Sequence, residues 1–325
     1  MNAMEDLLLE PFRRMLAVAA APERVREAEK SGDVAALWDE VEASGFLDAL
    51  LPLAAGGAGL ALADVYALVV ETGACCLPVP FAETMVARAL LVTRGATVPP
   101  DARIVMVAAM PILPLARVAT HALTLEADKL VLAKLQSTGP DPFGVLGGLH
   151  AGLSEPILTV EADGVDPLLV GAALTAAKMA GAMRRVAELS LVYAAQRKQF
   201  GQQLGKFQAV QNQLAVMAEQ VVSAKIAANI GMSGDQFSPL KVALAKCRTS
   251  EASHIICDVA HAVHGAIGVT QEYDLQLLTR RLKEWQMAYG SEGYWASRIG
   301  MARAAQSART TADFVRLNLQ QDRVA

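Results

Sequence analysis

The sequence predicts a mainly α-helical protein in which a small β module separates an N-terminal helical domain from a C-terminal helical bundle. Apolar residues recur at helical spacing over 1–95 and again over 167–325, whereas 96–166 has strand-like segments interrupted by proline and glycine. Aromatic residues make up only 5% of the chain while alanine, leucine and valine abound, which favours closely packed helices. We therefore expect three domains with these boundaries.

The N-terminal domain is expected to hold three to five helices up to about residue 88, because turn residues interrupt an otherwise helical pattern. In the β module, segments rich in β-branched residues are predicted to be strands. These strands are expected over 103–109, 118–125, 129–135 and 157–160. The β module is therefore expected to be reduced, because a sheet of so few strands is too small to cover a large cofactor.

The C-terminal part is predicted to be a bundle of four or five antiparallel helices. Its first helix is rich in alanine and glycine, which lets neighbouring helices approach closely. Its third helix opens with Ser238 and Pro239, a cap followed by a first-turn proline. The helices are expected over 167–196, from about 207, and over 238–265, 274–290 and 291–319.

Charge and cysteine content narrow the environment of the protein. Lysine and arginine number 29 against 33 acidic residues, a net charge of −4, so no global field attracts nucleic acid or an anionic membrane. The four cysteines lie in apolar helical segments without paired-loop spacing, which is typical of a reducing compartment. The N-terminal segment lacks the charge order of a secretory signal, and the most apolar segments are too short to span a bilayer. We expect a cytoplasmic protein.

One block of residues is suited to holding an anionic ligand. The first bundle helix ends at 197–201, Arg-Lys-Gln-Phe-Gly, and Gln208 and Gln211 follow near the start of the next helix. A guanidinium fork matches phosphate oxygens, so this corner could hold a phosphate group. The alternative interpretation is structural: Arg197 could instead cap the carbonyl groups at the helix end.

The order and spacing of these residues resemble those of acyl-CoA dehydrogenases. Residues 197–217 read R-K-Q-F-G-x-x-L-G-x-F-Q-x-x-Q-x-x-L-A-x-M and match the family's helical signature. Residues 264–273, H-G-A-I-G-V-T-Q-E-Y, resemble its glycine turn, and Gly-Gly-Ala-Gly-Leu at 56–60 resembles an N-terminal block. The resemblance covers nearly the whole chain, in the family's order of helices, β module and helices.

This resemblance implies that FAD lies between the β module and the bundle, with its diphosphate and adenine reached by a neighbouring subunit. The implied chemistry removes the α-proton of an acyl-CoA with a carboxylate while a hydride passes from the β-carbon to the flavin. The cofactor-binding positions carried over from the family are Arg197, Gln199, Phe200, Gln208, Gly265 and Ser291.

The residue that should remove the proton is missing from both places where the family carries it. In one branch it follows a tyrosine at the end of the fourth bundle helix, where this chain has Tyr289 followed by Gly290. In the other branch it precedes the motif arginine by about 26 residues, where this chain has Gly171. Glu292 is the nearest acid and is our candidate base. Its alternative role is to complement the dipole at a helix start.

The β module departs further, because it lacks the threonine- and serine-rich stretch and the tryptophan-bearing strand expected beside a flavin. Ala262 also stands where the glycine-turn block usually has a glutamine. The chain thus resembles the small subunit of heteromeric acyl-CoA dehydrogenases. Expected partners are an acyl-CoA and copies of this chain or a second dehydrogenase subunit, with electron-transfer flavoprotein as a compatible electron acceptor.

Three functions remain compatible with the sequence. The first is FAD-dependent α,β-dehydrogenation of an acyl-CoA, performed by this chain together with a partner subunit. The second is a catalytically silent subunit that completes and stabilises the flavin site of its partner. The third is a thioester-binding relative with non-redox chemistry.

A metal site is the competing interpretation of one helix. His254, Cys257, His261 and His264 share a face of this helix. The first and the last are ten residues apart, so they lie about 15 Å apart along the helix and cannot surround one ion. We therefore expect no metal.

Overall fold

The protein, seen in a computed structural model that describes residues 3–307 and 310–319, is mainly helical with a small sheet, which confirms the predicted fold class. Two short 3-10 turns follow the third helix, and the glycine-rich stretch at 56–60 is a turn. The N-terminal part consists of α1 (Ala3–Ala19), α2 (Pro22–Ser31), α3 (Ala35–Ala43), α4 (Leu62–Ala74) and α5 (Phe81–Val92).

The β module begins after α5 and is built around a four-stranded sheet in the order β1-β3-β4-β6, with a separate β2–β5 pair. The β1–β3 pair is parallel and the others are antiparallel. Ala127 and Asp128, with φ of 44° and 65°, form the two-residue turn of the β3–β4 hairpin. The strands are β1 (Ile104–Met106), β2 (Ile112–Leu113), β3 (His121–Glu126), β4 (Lys129–Thr138), β5 (Gly148–Leu149) and β6 (Ala151–Glu161).

The C-terminal part is a helical bundle with a small hairpin after its first helix. Asp166 caps that helix by accepting a hydrogen bond from the Leu168 N–H at 2.8 Å, and a proline follows the cap. The elements are α6 (Pro167–Gln196), β7 (Lys198–Gln199), β8 (Gln202–Gln203), α7 (Gln208–Gly231), α8 (Pro239–His264), α9 (Leu275–Met287), α10 (Glu292–Ala305) and α11 (Thr311–Leu319).

Helix α6 is the centre of the molecule and contacts α4, α7, α8 and α9. Its crossing with α4 depends on two glycines. A Cβ added at Gly73 would overlap the backbone of Lys178, and one added at Gly181 would overlap the backbone of Val70. The two helices therefore pack backbone against backbone, which fixes the first bundle helix against the N-terminal helices.

Within the part of the chain that the structure describes, no helix is both long enough and apolar enough to cross a bilayer. The four cysteines are free thiols.

Candidate functional site

The predicted phosphate-binding corner is a tight hairpin that projects from the end of α6. Arg197 is the residue after the helix, and β7 and β8 pair directly behind it. Phe200 and Gly201 turn the hairpin with φ of 49° and 79°, the left-handed values that a two-residue turn of this kind requires. The Phe200 ring is 92% exposed, and among the described residues its one aromatic contact is an edge contact with Phe207. An aromatic ring so exposed is available to a ligand or a partner.

The polar groups of this corner are also available. Arg197, Gln199 and Gln208 are exposed, and their side chains form no hydrogen bond or ion pair with any residue that the structure describes. In particular, Arg197 caps no helix carbonyl in this structure. Gln211 is engaged, because its amide donates to the Gly205 carbonyl at 2.9 Å and braces the corner from below. The corner therefore presents a cation and two amides without partners in the described chain.

A stack of aromatic rings joins this corner to the glycine turn at the end of α8. Tyr193 in the last turn of α6 stacks on His264, with ring centroids 4.5 Å apart, and Tyr273 packs on the same histidine. Gly265 follows with φ 66° and ψ −145°, a conformation that only glycine adopts readily. The structure thus brings the two sequence blocks together.

One ring nitrogen of His264, next to this corner, has no hydrogen-bond partner among the described residues. Its Nδ1–H donates to the Ala260 carbonyl at 2.8 Å, and burial lowers the pKa of the imidazole. The Nε2 atom of this neutral ring is buried without a hydrogen-bond partner among the described residues. Such an acceptor can receive a hydrogen bond from a ligand or an ordered water.

The remaining predicted residues, Ser291 and Glu292, lie at the other end of α9, about 20 Å away if the helix rises 1.5 Å per residue. Ser291 precedes α10 but its hydroxyl does not cap the helix. The Glu292 carboxylate accepts a hydrogen bond from Gln286 at 3.3 Å and lies 3.5 Å from Nε2 of His254. The predicted site residues therefore form two groups. The outer corner contains Arg197, Gln199, Phe200, Gln208 and Gly265, and the inner turn, which follows α9, contains Ser291 and Glu292.

The inner turn is dominated by Tyr289, which is 2% exposed. Its hydroxyl donates to the Met106 carbonyl at 3.0 Å, so it ties the end of α9 to the β module. Its ring lies against Gly171 so closely that an added Cβ would overlap the ring. The phenol ring thus fills the space beside Gly171, one of the two positions where the resemblance places a carboxylate, and Gly290, the other position, directly follows this tyrosine.

Glu292 is half-buried beside this turn. Burial alone would raise the pKa of its carboxyl, but hydrogen bonds from its own backbone N–H, from Gln286 and from His254 lower the pKa below its usual value. A low pKa makes this carboxylate a weaker proton acceptor than a desolvated one.

Desolvated carboxyl groups do occur nearby, at positions that sequence reasoning missed. Both oxygens of Glu284 on α9 are buried without a partner among the described residues, and burial raises its pKa to about 8. Glu83 forms a buried ion pair with Lys178, whose ammonium lies 5.6 Å from the centre of the Trp285 ring. The available signal was a charged residue on an otherwise apolar helix face, which α5, α6 and α9 all contain.

A cavity of about 350 Å³ opens beside Tyr289, between residues 107–113 and the segment at His150. Only His150 and Tyr289 bring polar side chains to it, and the tyrosine hydroxyl already donates to Met106. Apart from this engaged hydroxyl, the lining formed by the described residues offers no side-chain hydroxyl or amide to hold a flavin ring. The outer corner, with its unpaired cation and amides, does fit the phosphate and adenine end of FAD.

No cluster of histidine, cysteine, aspartate or glutamate among the described residues is arranged to hold a metal ion. His254, Cys257 and His261 have separate environments along α8, since His254 faces Glu292 while His261 contacts the Thr279 hydroxyl at 3.1 Å.

The chain is similar to known proteins in sequence and in fold. Residues 165–305 match the model of the acyl-CoA dehydrogenase C-terminal domain. Acyl-CoA dehydrogenase IpdE2 of Mycolicibacterium smegmatis is 29% identical over 290 residues, which are 86% of this chain and 93% of that protein.

Two solved structures share the fold over almost the whole chain. The ChsE4-ChsE5 complex from Mycobacterium tuberculosis superposes with a TM-score of 0.79 at 21% identity, covering 95% of this chain and 99% of that one. The Tcur3481-Tcur3483 steroid ACAD gives a TM-score of 0.79 at 23% identity, covering 93% and 98%. Residues 165–305 therefore match an acyl-CoA dehydrogenase C-terminal domain, and the chain as a whole resembles acyl-CoA dehydrogenases, oxidoreductases that act on CH–CH groups, in sequence and in fold.

Proposed function

We propose that this chain is one subunit of a heteromeric, FAD-dependent acyl-CoA dehydrogenase. In this proposal its outer corner grips the diphosphate and adenine end of an FAD whose ring lies in the partner subunit. The observation that carries the proposal is the Tyr289 ring against Gly171, because the ring fills the space at one of the two positions where the resemblance places a carboxylate, and the other position is Gly290. The outer corner thus keeps unpaired polar groups for a ligand, while the space beside Gly171, which we call the catalytic place, is filled by the Tyr289 ring. A site shared with a partner subunit best explains this combination.

The residues of the corner have separable roles in this proposal. Arg197 would neutralise phosphate charge, Gln199 and Gln208 would donate hydrogen bonds from their amides, and Phe200 would pack on the cofactor. Gly265 would let the backbone approach the cofactor, since a side chain there would strain the turn. When bound, FAD supplies the ring that accepts the hydride in α,β-dehydrogenation.

The proposal has two versions, which differ in the subunit that supplies the catalytic base. If Glu292 removes the proton, as the sequence suggests, this chain contributes to catalysis directly. The hydrogen bonds that lower the pKa of Glu292 support the other version, in which the partner supplies the carboxylate and this chain is catalytically silent. Glu292 as the base stays a prediction, and its substitution is considered in the Discussion.

We further propose a bulky, ring-bearing acyl-CoA as the substrate of the assembly, with electron-transfer flavoprotein as electron acceptor. The support is the likeness to a steroid ACAD over nearly the full length of the chain.

The test is to purify the tagged chain alone and together with a co-expressed full-length acyl-CoA dehydrogenase, and to record visible spectra. We expect the chain alone to be colourless and the complex to be yellow. The complex should be bleached by a steroid-derived acyl-CoA in a panel that includes straight-chain and branched esters. A yellow chain that an acyl-CoA reduces without any partner would overturn the proposal.

A further inference from the structure

The turn that carries Tyr289 is held by buried side chains from two other helices. The carbonyls of Gln286 and Gly290 accept hydrogen bonds from the ammonium of Lys246 on α8, at 3.0 and 2.9 Å. The carbonyl of Tyr289 accepts one from the indole of Trp295 on α10, at 2.9 Å. Each of these carbonyls lies at or beyond the end of α9, where no helical N–H can reach it.

Lys246 is itself unusual, because its side chain is 0% exposed and has no ion-pair partner among the described residues. Its third hydrogen bond goes to the Ser250 hydroxyl at 2.9 Å, so all three ammonium hydrogens are used. Burial lowers its pKa to about 7, although the charges of Glu292 and Cys247 oppose this. Two of the three hydrogen bonds of this buried ammonium go to one turn, which indicates that Lys246 stabilises that turn.

The turn needs this support because its backbone is strained. Tyr289 has φ of 54°, a left-handed value that is unfavourable for a bulky residue. Gly290 follows with φ of 92°, and a Cβ there would meet the Trp295 indole at 2.9 Å. Without the ammonium, the Gln286 and Gly290 carbonyls would lose these hydrogen bonds. The turn would then be less stable than one in which Tyr289 adopts an extended conformation, because that conformation relieves the backbone strain.

We propose that Lys246 is the positioning residue of this turn: its ammonium holds Tyr289 left-handed, which presses the phenol ring against Gly171 and closes this chain's own catalytic place. The inference rests on the proposed function only in treating that place as unused. It adds the group that keeps the place closed, and it concerns the chain without flavin or partner.

The experiment compares Lys246→Met with Lys241→Met, a matched substitution on the same helix at a half-buried lysine. Nitration of each tyrosine by tetranitromethane is followed by peptide mass spectrometry in the folded full chain. Tyr66 is the internal reference for folding, since it is buried and its hydroxyl donates to the Lys225 carbonyl. The ¹⁵N–¹H indole resonance of Trp295 reports the turn directly, and that of Trp38 on α3 is its reference.

In Lys246→Met we expect nitration of Tyr289 to be about tenfold faster than in the wild type, with Tyr66 unchanged, because the strained turn opens. The Trp295 indole resonance should shift while that of Trp38 does not. Lys241→Met should match the wild type in both readouts. A Tyr289 that stays protected in folded Lys246→Met, with an unshifted Trp295 resonance, would overturn the proposal.

If Lys246→Met does not fold, Ser250→Ala decides the matter. The Ser250 hydroxyl both accepts from Lys246 and donates to the Gln286 carbonyl, so its loss should shift the Trp295 resonance and speed nitration of Tyr289 less than the lysine variant would. A Ser250→Ala chain with wild-type readouts would count against the proposal. Because neither readout involves flavin, failure here leaves the shared-site proposal standing, and the reverse also holds.

Discussion

Charged side chains in this protein serve two opposite purposes. Arg197 is exposed at the end of a buried helix and has no partner in the described chain, whereas Lys246 and Glu284 are buried with few or no charges to balance them. An exposed, unpaired arginine contributes little to folding, so its value lies in what binds to it. The buried groups act inside the fold instead, and their effects should appear as changes in stability with pH.

Replacing Arg197 should weaken FAD binding without affecting the fold. In the complex with a partner subunit, Arg197→Met should lower FAD affinity about ten- to hundredfold, since a charge-assisted hydrogen bond contributes about 1.5 to 3 kcal/mol. The melting temperature of the apo chain should not change. Fluorescence titration of FAD measures the affinity, with Lys198→Met as the control because Lys198 is an exposed neighbour. Equal FAD affinities for the two variants would contradict the assigned role.

Glu284 should make the protein less stable as the pH rises. Its pKa is about 8 in the folded state and 4.5 ordinarily, so between these values only the unfolded chain releases the proton. The free energy of unfolding should then fall by up to about 1.4 kcal/mol per pH unit from this group. Urea unfolding at pH 5 to 8 should show a fall in the wild type that Glu284→Gln reduces. Parallel pH profiles for the two proteins would mean that Glu284 is not the cause.

The role of Glu292 can be decided by one conservative substitution. If the partner supplies the base, Glu292→Gln in the reconstituted complex should leave kcat within about twofold, because positioned proton transfer contributes about a hundredfold or more. Glu188→Gln, at an exposed pair on α6, is a suitable control. Activity that falls a hundredfold in Glu292→Gln alone would establish Glu292 as the base.

At the scale of elements, the packing of α6 against α9 and the turn after it determines what lies beside Gly171. Gly171 on α6 provides the space and the turn after α9 provides the ring that fills it. The ring is fixed at its far end by the Met106 carbonyl at the end of β1. Three elements from different parts of the sequence thus converge on one tyrosine.

This packing predicts that Gly171→Ala is destabilising only while Tyr289 is present. The added methyl group would overlap the ring, and overpacking of this kind costs about 1 to 3 kcal/mol. In a Tyr289→Ala background the same substitution should cost close to nothing. Chemical denaturation of the four proteins in this double-mutant cycle measures the coupling. An equal cost in both backgrounds would show that the ring does not occupy the space beside Gly171.

Sequence reasoning succeeded where a feature is local and periodic. The four main strand regions and most of the bundle helices follow from apolar spacing, and Asp166-Pro167 is a readable helix start. The single helix expected over 291–319 was wrong: the described part of this range forms two helices, Glu292–Ala305 and Thr311–Leu319, so the described bundle has six helices and not four or five. It missed the β2–β5 pair, because two-residue strands have no periodicity. It also could not foresee that Tyr289 meets Gly171, since that contact joins residues 118 positions apart and depends on how α9 packs on α6. The burial of the Lys246 and Glu284 side chains could not be predicted for the same reason, because it depends on how the helices pack.

At the scale of the whole molecule, the two ends of α9 have different surroundings. One end contacts the aromatic stack under the exposed corner, and the other carries the closed turn with Tyr289. Helix α9 separates these two ends by about 20 Å. A chain organised in this way can hold one end of a cofactor while offering no catalytic place of its own, which is the division of labour that we propose.

The most direct measurement of this claim is the FAD affinity of this chain, of its FAD-depleted partner, and of the two combined, by fluorescence titration. The account predicts weak binding to either chain alone and tight binding to the mixture, with the gain abolished by Arg197→Met. A partner that binds FAD equally tightly with and without this chain would contradict the claim, as would tight binding by this chain alone.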